Sequence, residues 1–502
     1  MKKPNALTLT YQERLELTPE EINFLTELMA TYQLHKRCLW QGLYGRPPEL
    51  RPIDLNAYKR EFCERHAISS TAYNSLKNEV DGLFKAQCEL LGTRQVELKA
   101  KVHSVRAWID RQKEVVARSL ANILKLESEH QTKERLKIEA TRFKISHKSR
   151  KLAETQRKLE AVEVALALGK SWQPAVAFGS KKLLRSQHEL EGNGYKDHAA
   201  WKEDFDFSRS SSVFFLGDQG EKSRNREVKG IETLLQNPNS DLVNLRLVIP
   251  EHLRAAHDHK ATFVLSPVKL SPRTLAAVME ALQAQYHKVV RKNGLTIVKD
   301  MQLPVSYRLL RRKRVKTLKD GTKVTTVVFY LQIILQKLAE SYVSTPEAGA
   351  IGVDQNLDHI AVGVVDRFGN PSASFTIPFR PYENSALQNK ALIGAITADI
   401  VDLAEALQVP VIAEKLNFKR KMATLKESYG PAVNHRFSAF SYNAVDTALR
   451  SRCFKQKIQF IPVEPAYSSM IGAMNYLSMK DCISSHEAAC FTLARRCLNY
   501  SD

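Results

Sequence analysis

Three stretches of this 502-residue chain place acid or imidazole side chains where a strand or helix would hold them. In Ala348-Gly-Ala-Ile-Gly-Val-Asp354 an apolar run delivers one carboxylate. A tight connection follows, Ile360 to Val365 is apolar again, and Asp366-Arg-Phe-Gly-Asn370 reads as a turn. Burying an aspartate beside Ala-Ile-Gly-Val is costly unless its charge is offset, and a bound divalent cation is one common compensation. A hairpin whose aspartate caps its own turn is the other reading of the same residues. Val409-Pro-Val-Ile-Ala-Glu414 is a second buried strand that ends in a carboxylate. Ser484-Ser-His486-Glu487-Ala-Ala opens a packed, Ala-rich helix with a capping-box pattern from Ser484 to Glu487. Glu487 therefore has a structural explanation, and Asp481 just ahead of it has a loop one.

The elements that must hold these groups follow from periodicity. The last region, from about Ser344, reads as three strands, a long helix over about Asn384 to Leu407, the Glu414 strand, helices, a strand over Ile458 to Val463, and the helix that opens at Ser484. Three strands, a helix, a fourth strand with an acid and a final helix is the order of an RNase H-like fold. Upstream, Leu7 to Leu17 alternates like a half-exposed strand. Thr18-Pro-Glu-Glu21 then supplies an N-cap, a first-turn proline and acids for a helical region that continues to about Leu91. From Arg94 to about Leu168 Gly and Pro are nearly absent and apolar residues recur at helical spacing, which predicts a helical hairpin or a pair of long helices. Beyond Trp172-Gln-Pro174 strands are expected at Ala175 to Phe178, Ser212 to Leu216, Leu242 to Ile249, Thr262 to Leu265, Leu303 to Tyr307 and Lys323 to Leu331, with one helix near Pro272 to Lys292. That is a β-rich domain, expected to close as a barrel.

Charge is the unusual feature of the composition. Lys and Arg number 75 against 54 Asp and Glu, a net +21, with a pI near 9.5. An extended polyanion is the partner this favours, with salt-sensitive affinity. A membrane surface is disfavoured because no basic amphipathic segment carries a Trp/Leu face. Two clusters are candidate nucleic-acid contacts. Lys148, Arg150 and Lys151 lie in the cation-dense Arg142 to Lys151 stretch, and Arg311, Arg312, Lys313 and Arg314 are expected at a hairpin tip. A solvated helix face and a solubilising loop are the plain readings of these clusters. His252, His257, Asp258 and His259 lack a partner pair at ligand spacing, so no metal is expected there. The N-terminus lacks a signal-peptide core, and the longest apolar run, Val327 to Leu335, is too short to span a bilayer. A cytoplasmic protein is expected. The seven cysteines form no CxxC pair and read as small core residues.

Gly352-Val-Asp354-Gln-Asn-Leu, Ile412-Ala-Glu414-Lys-Leu, and Val463-Glu-Pro-Ala-Tyr-Ser-Ser-Met-Ile-Gly472 with His486-Glu-Ala-Ala489 together resemble the three motifs of the RuvC-like nucleases of TnpB proteins and type V CRISPR effectors. The resemblance implies an N-terminal strand of a wedge domain (residues 1–17), a helical recognition lobe (18–170), a β-barrel wedge domain (171–345) and a RuvC-like nuclease domain (346–502). It implies an RNA-guided DNA endonuclease with guide RNA and target double-stranded DNA as partners. Asp354 and Glu414 would be ligands for Mg2+, or Mn2+, and His486 a third ligand or an assistant to water, with Asp481 and Glu487 in reserve for the third place. Two features depart from the family. The four-cysteine zinc ribbon is missing, since only Cys453 and Cys482 fall between the second and third motifs. The third motif shows Ser485-His486-Glu487 where an aspartate is usual. The alternative is an RNA-guided DNA-binding protein with weakened or lost cleavage, and a third reading is a junction resolvase that needs no RNA.

Overall fold

The computed structural model describes residues 6–123, 128–292, 295–317, 323–338, 341–356, 358–381, 384–415, 442–478 and 484–500. It is a multidomain α+β protein with a helical N-terminal region and mixed sheets. The chain divides into two compact units, one of Ala6–Glu89 with Leu168–Leu338, the other of Met1–Asn5, Leu90–Ala167 and Ala339–Asp502. No helix among the described residues is long and apolar enough to cross a membrane.

In the Ala6–Glu89/Leu168–Leu338 unit, strand β1 (Ala6–Leu15) leads into helix α1 (Pro19–Trp40). The junction is set by Thr18, whose hydroxyl accepts from the Glu21 N–H while the Glu21 carboxylate accepts from the Thr18 N–H at 2.6 Å. Helix α1 buries Phe24, Leu25, Leu28 and Met29 in the unit's main core. Helix α2 (Leu55–His66) and the 53-residue helix α3 (Ser70–Asn122) follow. The second half of α3 belongs to the other unit, where it runs beside α4 (Ser128–Leu168), and Val116, Ile123 and Ile138 form their seam with Ile145 packed against it. Back in the first unit, helix α5 (His198–Arg209), β2 (Ser212–Phe215), helix α6 (Pro272–Gln283), β3 (Ser306–Thr317) and β4 (Lys323–Leu338) complete the principal elements. The four strands pair antiparallel in the order β1-β4-β3-β2. Phe329, Leu331, Ile333 and Leu335 of β4 alternate into the core while the residues between them stay partly exposed, as a one-sided sheet requires.

The sequence expectations need correction in this region. Residues 175–178 are not a strand and have no sheet partner among the described residues. The helix at Pro272 ends at Gln283, where Ala284 turns to an extended conformation, and Gln285–Lys292 pairs with Leu295–Gln302. The strand expected at Leu303 starts at Ser306. Among the described residues the strands form separate sheets of four, three, two and two strands, and no closed barrel is present.

The Ala339–Asp502 segment holds a five-stranded sheet. Strands β5 (Gly349–Gln355), β6 (His359–Asp366) and β7 (Pro371–Pro378) form an antiparallel meander, helix α7 (Ala386–Leu407) crosses, and β8 (Val411–Glu414) joins parallel to β5. Helix α8 (Tyr442–Lys455) then leads to β9 (Phe460–Val463), parallel to β8, and helices α9 (Ser468–Tyr476) and α10 (Ser485–Cys497) close the fold. Sheet order is β7-β6-β5-β8-β9. The sheet is covered on both faces, so its central strands are continuous apolar runs. Ile351, Val353, Val362 and Val411 pack against α7 and α8, whereas Ala350, Val365 and Ile412 pack against α10.

Candidate active site

Strand parity decides which side chains meet. In β5, Ala350, Gly352 and Asp354 share the α10 face; in β8, Ile412 and Glu414 share it. The last registered pair of these parallel strands is Val353 with Ala413, so Asp354 and Glu414 stand one residue beyond it, side by side at the strand ends. Across the antiparallel partners the same level continues through Ala361 of β6 to Thr376 of β7. Two carboxylates therefore occupy one level of one face, beneath the start of a helix.

The helix lies close because glycines let it. A Cβ on Gly352 would sit 2.0 Å from the Cys490 carbonyl oxygen, and one on Gly363 would sit 2.8 Å from the Cys490 Cβ. This approach sets the first turn of α10 over the acids. Ser484 caps the helix by accepting from the Glu487 N–H at 3.2 Å. The Glu487 carboxylate, 3 % exposed, accepts hydroxyls from Thr376 at 2.8 Å and Ser374 at 3.2 Å, which ties α10 to the far side of the meander. The Glu487 N–H thus takes the Ser484 half of the expected capping box, while its carboxylate is bonded to β7. Asp481 and Cys482 lie outside the described residues.

His486 faces the acids. Its Nδ1 is 3.0 Å from Asp354 Oδ2, and the same oxygen accepts from Asn356 Nδ2 at 2.9 Å. Asp354 is only 5 % exposed, so these contacts supply what burial takes from its hydration. The hydrogen bond to Asp354 raises the His486 pKa above the ordinary imidazole value, assisted by the charges of Asp354, Asp358 and Glu414 and opposed by burial. A second histidine completes the cluster. His359 meets the His486 ring edge-on at 4.8 Å, and its Nδ1 lies 2.7 Å from Asp358 Oδ1. That contact holds the Asp358 carboxyl below its usual range. The sequence motifs alone do not single out Asn356, Asp358 or His359. Parity could have found His359, since it lies two residues before Ala361, the registered partner of Asp354.

The three expected ligands are brought together, though not as a ready metal cage. Among the described residues no group of three or more His, Cys, Asp or Glu side chains is arranged to hold a metal ion. The donor set fits a hard divalent cation in another way. Magnesium keeps several waters and is commonly held by one or two carboxylates together with substrate phosphate oxygens. Asp354 and Glu414 are such a pair.

The expected nucleic-acid contacts divide. Arg311 to Arg314 lie within β3 and not at a hairpin tip. Arg311 donates to Thr26 Oγ1 at 3.2 Å and Ser210 Oγ at 3.0 Å and lies over the Phe207 ring, and Lys313 pairs with Asp204. Both are packed on α5 or its end. Arg312 and Arg314 point to the opposite, exposed face, with Arg312 over Tyr330. On α4, Lys148 turns toward α3, 5.4 Å above the Trp108 ring, while Arg150 and Lys151 are exposed. His257 contacts Glu27 at 3.3 Å and His252 the Ala67 carbonyl at 3.4 Å, in keeping with structural roles. His252 also lines a cavity of about 30 Å3 with Tyr32, His35 and Glu227. Burial raises the Glu227 carboxyl to about 7 against hydrogen bonds from Ser75 and Ser69, and burial lowers His35 to about 4. Compared with known proteins, the chain matches no protein-family model and no curated protein sequence.

Proposed function

We propose that the chain is an RNA-guided, divalent-metal-dependent DNA endonuclease of the TnpB and type V effector kind. On this reading the Ala339–Asp502 segment is an RNase H-like, RuvC-type nuclease domain, the strands around β3 and β4 belong to a wedge domain, and guide RNA and target DNA are the partners. The observation that carries it is the pairing of Asp354 and Glu414 on one face at the ends of adjacent parallel strands, beneath His486 at the start of α10. The sheet order and the net charge of +21 support it further.

Divalent metal bound there would supply charge neutralisation at the phosphate and an activated water. Asp354 and Glu414 would hold it, with Mg2+ or Mn2+ as the ion. His486, hydrogen-bonded to Asp354, fixes that carboxylate and stands where it can accept or deliver a proton. Asn356 donates to the same oxygen.

One observation favours a second reading. The place of a third acid is taken by an imidazole already bonded to Asp354, which suits guided DNA binding with weakened cleavage. Purifying the protein with the RNA it retains and presenting a matching DNA separates the two. Cleavage in Mg2+ or Mn2+ that Asp354→Ala abolishes is the expected result. Target binding without cleavage in either metal would replace the nuclease by the binding protein. Cutting of branched DNA by RNA-free protein would replace both by a resolvase.

A further inference from the structure

The outer face of α4 carries an aromatic side chain that the fold does not use. Phe143 is 76 % exposed and Leu136, two turns earlier, is 64 % exposed. Ile138 and Ile145, which bury the opposite side of the same helix in the seam with α3, show that Phe143 points directly away from that seam. Exposure of a single apolar residue is ordinary. Its surroundings are not. Residues 140–153 contain no carboxylate, while Arg142, Lys144, His147, Lys148, Arg150 and Lys151 fall within them. Four other cations of this helical pair have carboxylate partners: Lys99 with Glu163, Arg94 with Glu97, Lys137 with Glu134 and Lys158 with Glu154. Arg142, Lys144, Arg150 and Lys151 are exposed and form no salt bridge among the described residues.

We propose that this face binds an unpaired segment of RNA, with one base stacked on Phe143 and phosphates held by Lys144, Arg150 and Lys151. Charge complementarity selects a polyanion, and the aromatic selects an unstacked base. A convex helix ridge with a lone ring cannot reach bases inside a closed duplex, and the deep, narrow major groove of A-form RNA excludes side chains. Unpaired bases have no such barrier and stack on aromatic faces with little sequence preference. The cations from Lys144 to Lys151 span about 11 Å of helix axis, enough for a few nucleotides. Ser146 and His147, exposed one turn beyond Phe143, offer hydrogen-bonding groups to a ribose 2′-hydroxyl. This deepens the guided-nuclease reading by giving an unpaired part of its RNA a place to bind. The surface chemistry also stands without cleavage.

The test uses the full chain freed of cellular RNA, with labelled oligouridylate, a duplex RNA of equal length and oligothymidylate as probes, read by anisotropy over a salt series. Phe143→Ala is expected to weaken oligouridylate binding roughly tenfold with an unchanged salt slope. Phe143→Trp restores it, and duplex binding does not change. Replacing Arg150 and Lys151 by Gln is expected to reduce the salt slope by about 0.7 for each phosphate no longer neutralised. A 2-aminopurine placed in the oligouridylate is quenched by the wild-type protein and not by Phe143→Ala. Unchanged oligouridylate affinity in Phe143→Ala overturns the proposal, as does equal loss for single strand and duplex. Oligothymidylate bound as tightly, with the same Phe143 dependence, overturns the assignment to RNA. Failure of guided DNA cleavage with the Phe143 effect intact would remove the nuclease reading alone. Guided cleavage with no Phe143 effect would remove this proposal alone.

Discussion

At the scale of single residues the candidate site is a chain of contacts from Asp358 through His359 and His486 to Asp354 and Asn356. The two ends should respond differently. Asp354→Ala removes a proposed ligand and is expected to abolish cleavage. His359→Phe keeps a ring against His486 but gives up the hydrogen bond to Asp358, and a roughly tenfold fall in single-turnover rate is expected, within the range that misplaced catalytic groups produce. Equal loss in both variants would show that His359 does more than orient its neighbour. A different pair governs pH. Glu227, raised to about 7 in the fold, destabilises it increasingly as pH climbs from the ordinary carboxyl value toward 7, because the unfolded chain ionises first. His35, lowered to about 4, acts in the other direction, and its stabilisation is lost as pH falls from 6.5 toward 4. Glu227→Gln should therefore raise Tm relative to wild type at pH 8 and leave it nearly unchanged at pH 4.5. The same Tm difference at both values would count against a Glu227 carboxyl raised in the fold.

At the scale of elements the glycines under α10 make the sharpest contrast. Gly352→Ala forces a Cβ into the Cys490 carbonyl and is expected to cost about 1–3 kcal/mol, with the helix that carries His486 pushed off the sheet. Gly394→Ala in α7 meets nothing within 4 Å and is expected to stabilise by up to about 1 kcal/mol. Chemical denaturation of the two variants checks both signs. Strand β3 offers a parallel test. Arg311→Gln should lower stability because the guanidinium is built into the packing on α1 and α5, whereas Arg314→Gln should leave stability alone and reduce the salt slope of nucleic-acid binding. Much at this scale was legible in the sequence. Thr18-Pro19-Glu-Glu21 marks a helix start without ambiguity, and the Gly-poor stretch to Leu168 is helical over Ser70–Asn122 and Ser128–Leu168. The apolar runs ending at Asp354 and Glu414 are strands. What stayed hidden depends on partners distant in sequence. Residues 175–178 have strand composition but no strand to pair with among the described residues. The Arg311 to Arg314 cluster looks like a loop until β3 is seen to continue through it. Glu487 matches a capping box, but its clamp on Ser374 and Thr376 is set by how α10 lies across β7.

At the scale of the whole molecule, charge and connectivity dominate. A net charge of +21 predicts that affinity for RNA falls steeply between low and physiological salt, with a slope that counts the phosphates neutralised. A salt-independent complex would point to contacts other than phosphates as the main source of binding.

Connectivity has its own consequence, in time. Among the described strands β1 pairs only with β4, and roughly 330 residues of chain separate Ala6 from its registered partner Leu338. At about 5–20 residues per second, a growing chain would expose β1 without its sheet partner for on the order of 20 to 60 seconds. The strand is suited to that wait. Thr8, Thr10, Gln12 and Arg14 alternate along it, so one edge-strand face stays polar while the apolar face has α1 and its neighbours to settle on. Replacing those four residues by valine would leave the finished sheet hydrogen bonds in place and yet be expected to lower the soluble yield, a cost borne entirely during synthesis.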